Sequence, residues 1–153
     1  MTMLASIRPD DINVALLVHV FGAMILVGGL VTAAGAGIIG WSDETPDLRR
    51  LSYKVLLAVA LPGYIVMRIG AQWVYAKEHL DDLPEDPAWV GIGFITADLG
   101  LLLLLVALIV GGIGLRQSRK GGGGGLLKSS AVLATILLVA YVVAVWAMGG
   151  KPD

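Results

Sequence analysis

The chemistry open to this chain rests on a few polar side chains set inside long apolar runs. His19 is the first. Its imidazole can ligate a metal or a haem iron, carry a proton, or make one buried hydrogen bond. Arg68 and Asp98 follow. Arginine does not give up its charge, and one set in hydrocarbon costs ~2.5–3.5 kcal/mol on insertion scales. Arg68 therefore demands a carboxylate, an anionic ligand or water. Asp98 is the one carboxylate in comparable surroundings, so the two are expected to pair. Such a pair either fixes helix register or forms part of a site or pathway. Around Arg68, the residues Tyr64, Gln72, Tyr75 and His79 recur at steps of three or four and share one helical face. With Tyr141 added, the candidate ligand-binding set is His19, Tyr64, Arg68, Gln72, Asp98 and Tyr141, and His19 is its candidate metal or haem ligand. Met24, Met67 and Met148 offer soft sulfur donors for copper or for an axial haem position, although methionine in an apolar run more often packs. No nucleophile–base combination stands out, so no catalytic residue is assigned.

These side chains must be positioned by elements that live in lipid. Of the 153 residues, 57% are hydrophobic and 15% charged, and mean hydropathy is +0.83. A water-soluble domain carries roughly 45–50% apolar and about 25% charged residues. About 20 mainly apolar residues cross the hydrocarbon core as a helix. Four stretches qualify: about 12–40, 55–76, 89–115 and 131–150. The expected fold is a single all-α domain of four transmembrane helices in an up-down antiparallel bundle, because short connections favour antiparallel neighbours. Zero Cys removes thiolate metal sites and disulfides, and a net charge of −1 removes nucleic acid as a partner. The lipid bilayer is the expected partner.

Charge bias sets an expected orientation. The first and third connections hold Arg49, Arg50, Lys54, Arg116, Arg119, Lys120 and Lys128, whereas the other side holds Arg8, Lys77 and Lys151. The more basic side faces the cytoplasm, which places both termini outside. Asp10 and Asp11 precede a long uncharged run. That pattern fits a permanent first helix and not a cleaved signal peptide. Trp41, Trp73, Trp89 and Trp146 fall near span ends, where indoles prefer the interface.

The connections are expected at Ser42–Arg50, Lys77–Pro87 and Gln117–Gly125. The last ends in five glycines and reads as a flexible link. It lacks the Gly-Lys-Ser/Thr ending of a nucleotide loop. His79 with Glu78, Asp81 and Asp82 forms an acidic patch, read as a solvated loop with weak capacity for a divalent cation. Pro62 and Gly63 are expected to kink the second span.

Counting ~1.5 Å per residue from the assumed outer ends puts His19 about 10 Å deep, Arg68 about 12 Å, Asp98 about 14 Å and Tyr141 roughly 10–14 Å. All four spans thus offer a polar group to one outer layer. The first span also carries a small-residue face, His19, Gly22, Leu26, Gly29, Ala33, Ala36 and Gly40. Such a face packs against a neighbouring span or against a second copy in a homodimer.

The segment VHVFGAMILVGGLVTAA, Val18–Ala34, carries His19 and Gly22 as His-x-x-Gly, followed by the Gly28–Gly29 pair. It resembles the first span of small prokaryotic integral membrane proteins of unknown function. Those are similar to the copper-resistance protein D family and, distantly, to the four-span haem-binding protoporphyrinogen oxidase family of bacteria. The stretch WVGIGFITADLGLLLLL, Trp89–Leu105, resembles the third span of the same group. The resemblance implies a multi-pass protein of the bacterial inner membrane, with His19 as a ligand to haem b or a copper ion and Arg68 as its second-span basic residue. No second histidine lies at comparable depth. Haem ligation would then be His–Met, five-coordinate, or shared between copies. The expected function is binding of a haem, metal ion or small anionic ligand for redox or transport. The alternatives are a structural accessory subunit and an oligomeric ion or proton pathway.

Overall fold

A computed structural model describes residues 10–42, 44–78 and 88–150. Helix α1 runs Asp10–Ile39, α2 Pro46–Val55, α3 Leu61–Lys77, α4 Ala88–Ser118 and α5 Gly124–Gly150. Helices α2 and α3 are joined without a break by one π turn, Leu56–Ala60. Together they make one span, so four helical units are long and apolar enough to cross a membrane. Much of each surface is apolar and faces outward, including Leu17 at 67% exposure, Ile109 at 63% and Trp146 at 69%. Water would not tolerate so large an apolar exterior; lipid does. The architecture is an all-α four-helix bundle.

The expected span limits change at three places. The second span starts at Pro46, not near residue 55. Proline suits the first turn of a helix because its missing N–H is not needed there, and Asp47 in that turn faces the positive helix end. The charges of PDLRRLSYK hide this turn from a hydropathy reading, yet Arg49 and Ser52 are buried. The Ser52 hydroxyl donates to the Ala33 carbonyl at 2.7 Å. The third span runs three residues past Leu115, to Ser118. The fourth begins at Gly124, so two of the five glycines are helical and the link is not an open flexible segment. Gly121, at φ +86°, closes α4. The Gly122 and Gly121 amides donate back to the Gln117 and Ser118 carbonyls at 3.1 and 3.4 Å. This paired closure needs a residue that accepts positive φ.

Where a kink is expected at Pro62 and Gly63, the second span has a π turn immediately before them. In an unbroken α-helix the Pro62 ring would meet the Ala58 carbonyl. The wider turn, with the Leu61 amide donating to the Leu56 carbonyl, moves the backbone aside.

Helices α1 and α3 pack most closely, as do α4 and α5; α1 also lies along α5, whereas α3 and α4 barely touch. The α1–α3 contact follows one antiparallel register. A side chain at Gly70 would strike the His19 backbone, one at Gly22 the Met67 backbone, one at Gly63 Leu26, and one at Gly29 Ala60. The small-residue face of α1 is therefore taken up by the second span of the same chain. The glycine pairs Gly22/Gly29 and Gly63/Gly70 share a seven-residue spacing. That matched spacing was the sequence signal for this contact. Leu26, Leu30, Leu56, Met67, Leu104 and Leu137 fill the centre of the bundle.

Candidate functional site

Because α3 and α4 stand apart, a cleft of about 740 Å³ opens between the helix pairs in the half of the bundle that holds the start of α1 and the end of α5. Its walls are mainly aliphatic. Into them are set His19 and Met24 from α1, Met67, Arg68 and Tyr75 from α3, Phe94 from α4, and Tyr141 and Met148 from α5.

His19 is half-buried, held where Gly70 lets α1 and α3 approach. Its Nδ1 lies 3.0 Å from the Met67 carbonyl. A carbonyl only accepts, so Nδ1 carries the proton and donates. A neutral ring bonded in this way has its lone pair on Nε2. Histidines that ligate metals are commonly oriented in this way, with the second ring nitrogen bonded to a carbonyl.

Arg68 Nη2 donates to Asp98 Oδ1 at 2.9 Å. The guanidinium also lies over the Phe94 ring, 5.1 Å from its centroid, and Tyr75 meets that ring edge-on at 5.3 Å. The Asp98 side chain is 65% exposed and Arg68 27%, so the carboxylate stands outside the cleft while the guanidinium lines it. One turn earlier on α3, the buried Tyr64 hydroxyl donates to the Ala97 carbonyl at 3.2 Å. These two bonds tie α3 to α4, which otherwise barely touch.

Tyr141 is 5% exposed, and its hydroxyl, packed against Gly100, has no hydrogen-bond partner among the described residues. Burying a hydroxyl unpaired carries a cost of about 1–3 kcal/mol.

The structure thus brings His19, Arg68 and Tyr141 to one cleft. It places Tyr64 and Asp98 at the α3–α4 crossing beside it, and Gln72 on the exposed surface away from it. Position 72 follows Arg68 by one turn, but beyond Arg68 the residues of α3 that line the cleft are Ala71, Val74 and Tyr75. His79 lies outside the described residues. Met24, Met67 and Met148 all line the cleft. Sequence reasoning missed Phe94. It precedes Asp98 by four residues, a spacing that puts both on the side of α4 facing Arg68.

The donor set distinguishes two kinds of group. Among the described residues no three His, Cys, Asp or Glu side chains converge, so a bare metal ion would have one imidazole and methionine sulfurs. A porphyrin brings its own four nitrogens and asks the protein for axial ligands, an apolar slot and a cation for its propionates. The residues present fit the second demand.

Comparison with family models, curated proteins and solved structures finds no match to this chain.

Proposed function

We propose that this chain is a multi-pass protein of a bacterial inner membrane that holds a haem in the outer-half cleft. The observation that carries the reading is the His19–Met67 hydrogen bond, because it fixes the imidazole at the cleft wall and reserves Nε2 for a ligand. His19 would hold the group through Nε2. Met24, Met67 and Met148 line the same cleft and would offer it thioether sulfur. Arg68, neutralised on one side by Asp98, keeps further N–H donors for a propionate. The aliphatic walls exclude water and lower the local dielectric, which strengthens that contact. Bound there, a haem supplies one-electron redox chemistry. Both termini face outward in this reading, on the charge bias of the connections. A homodimer would use faces other than the small-residue face of α1, which α3 covers.

The test is the haem content of the protein purified from cells supplied with a haem precursor. Stoichiometric haem with a Soret band supports the reading. A colourless protein that takes up no added haem rejects it.

One observation favours a second reading, that of an accessory subunit. The Arg68–Asp98 and Tyr64–Ala97 bonds hold α3 against α4 whether or not anything is bound. In that case the cleft would receive a partner's helix or lipid.

A further inference from the structure

The Arg68–Asp98 pair has two sides. The cleft lies on one, and the outer edge of the α3–α4 gap lies on the other. Helical spacing gives the residues of that edge. Ile65 and Gln72 stand three before and four after Arg68, and Ile95 and Leu102 stand likewise about Asp98. All four are exposed, and none lines the cleft. Asp98 lies about 15 Å along α4 from Ala88, and Arg68 about 14 Å along α3 from Lys77. These heights fall in the hydrocarbon core of a bilayer. Ile65, Ile95 and Leu102 suit that setting; Asp98 and Gln72 do not.

The Asp98 side chain is 65% exposed, and Arg68 meets only its Oδ1. Among the described residues nothing else bonds the carboxylate, and nothing bonds the Gln72 amide. Polar side chains at this depth face a bundle interior, a cavity or one another; lipid tails offer them neither donor nor acceptor. One face thus carries a spare acceptor beside two spare donors. Such a face is complementary to itself. A twofold axis along the membrane normal sets Gln72 of one copy opposite Asp98 of the other, and the reverse. Gln72 stands one turn from the height of Asp98, and side-chain direction closes that offset. Side chains lean toward the N-terminus of their helix. Gln72 therefore leans back toward the height of Arg68, and Asp98, on the antiparallel α4, leans toward the height of Gln72.

We infer that a second copy of this chain docks on the outer α3–α4 edge, with Gln72 of each copy donating to the free carboxylate oxygen of Asp98 in the other. Ile65, Ile95 and Leu102 pack around the two hydrogen bonds and keep them dry. The small-residue face of α1 takes no part, because α3 already covers it. The dimer is independent of the haem reading; it rests on the bundle and its place in a bilayer.

The experiment is association of the full chain in phosphatidylcholine vesicles, read by energy transfer between dyes attached at Ser118→Cys. Diluting the protein with lipid should lower the signal along a monomer–dimer curve, with no haem added. Gln72→Leu, which loses no bond within one copy, should keep its helix content and raise the dissociation constant by about tenfold, the scale of one hydrogen bond to a charged group. Cross-linking locates the face, since the chain has no cysteine of its own. Leu102→Cys should form a disulfide-linked dimer on oxidation in vesicles. Val143→Cys, exposed on α5 away from this edge, should not. A chain that stays monomeric at every dilution overturns the proposal and leaves the edge to another subunit or to lipid. Unweakened association of Gln72→Leu overturns it too, as does cross-linking at position 143 in place of 102.

Discussion

Arg68 of α3 and Asp98 of α4 meet at 2.9 Å, in the half of the bundle where their two helices are otherwise apart. The separation makes the pair a bridge across the mouth of a cleft and not one contact among many. Removing either partner strands the other charge at membrane depth, at roughly 2.5–3.5 kcal/mol.

Arg68→Leu and Asp98→Leu should each lower folded yield and unfolding temperature in micelles, and the double substitution should recover part of the loss. A double-mutant cycle measures the coupling. Additive losses would show that the bridge contributes nothing of its own.

Gly70 and Gly28 should respond in opposite ways to alanine. A methyl at Gly70 meets the His19 backbone, whereas one at Gly28 meets nothing within 4 Å. Gly70→Ala should destabilise by about 1–3 kcal/mol through overpacking and displace His19. Gly28→Ala should be neutral or stabilise by up to about 1 kcal/mol through helix propensity. Unfolding in micelles reads both.

Four apolar helices were legible in the sequence because hydropathy sums over some 20 residues and tolerates local error. The Arg68–Asp98 pair was legible for a different reason: two lone opposite charges at like depth have few other solutions. Helix ends were less so. Hydropathy is silent about Pro46–Val55, which is charged yet helical and packed against α1 and α5. The cleft was legible only as a layer of polar groups. Gln72 shares a helical face with Arg68, yet nothing in α3 itself announces how far α4 stands away. Phe94 and the Met67 carbonyl carry no signal in a one-chain reading, because both act through a neighbouring helix.

The glycine link makes a sharp comparison. Gly121, at φ +86°, should resist alanine by about 1–2 kcal/mol, the cost of a left-handed backbone for a residue with a Cβ. Gly125 is helical with open space around it, so Gly125→Ala should be neutral or stabilising by helix propensity. Equal responses would contradict the closed turn at the end of α4.

Single cysteines test orientation. With both termini outside, an impermeant thiol reagent applied to intact cells should label Thr2→Cys and leave Ser118→Cys unmodified. The reverse pattern would invert the bundle and place the cleft in the cytoplasmic half.

The proposed haem site turns on His19 Nε2, and the absorption spectrum of a His19→Gly variant reads that ligand. Haem titrated into the wild-type protein should give a saturable Soret band at one haem per chain. His19→Gly should lose it, and added imidazole should restore it by supplying the missing ligand, while His79→Ala should titrate like the wild type. An unchanged spectrum in His19→Gly would remove this histidine from the site, and a wild-type protein that binds no haem at all would overturn the haem site.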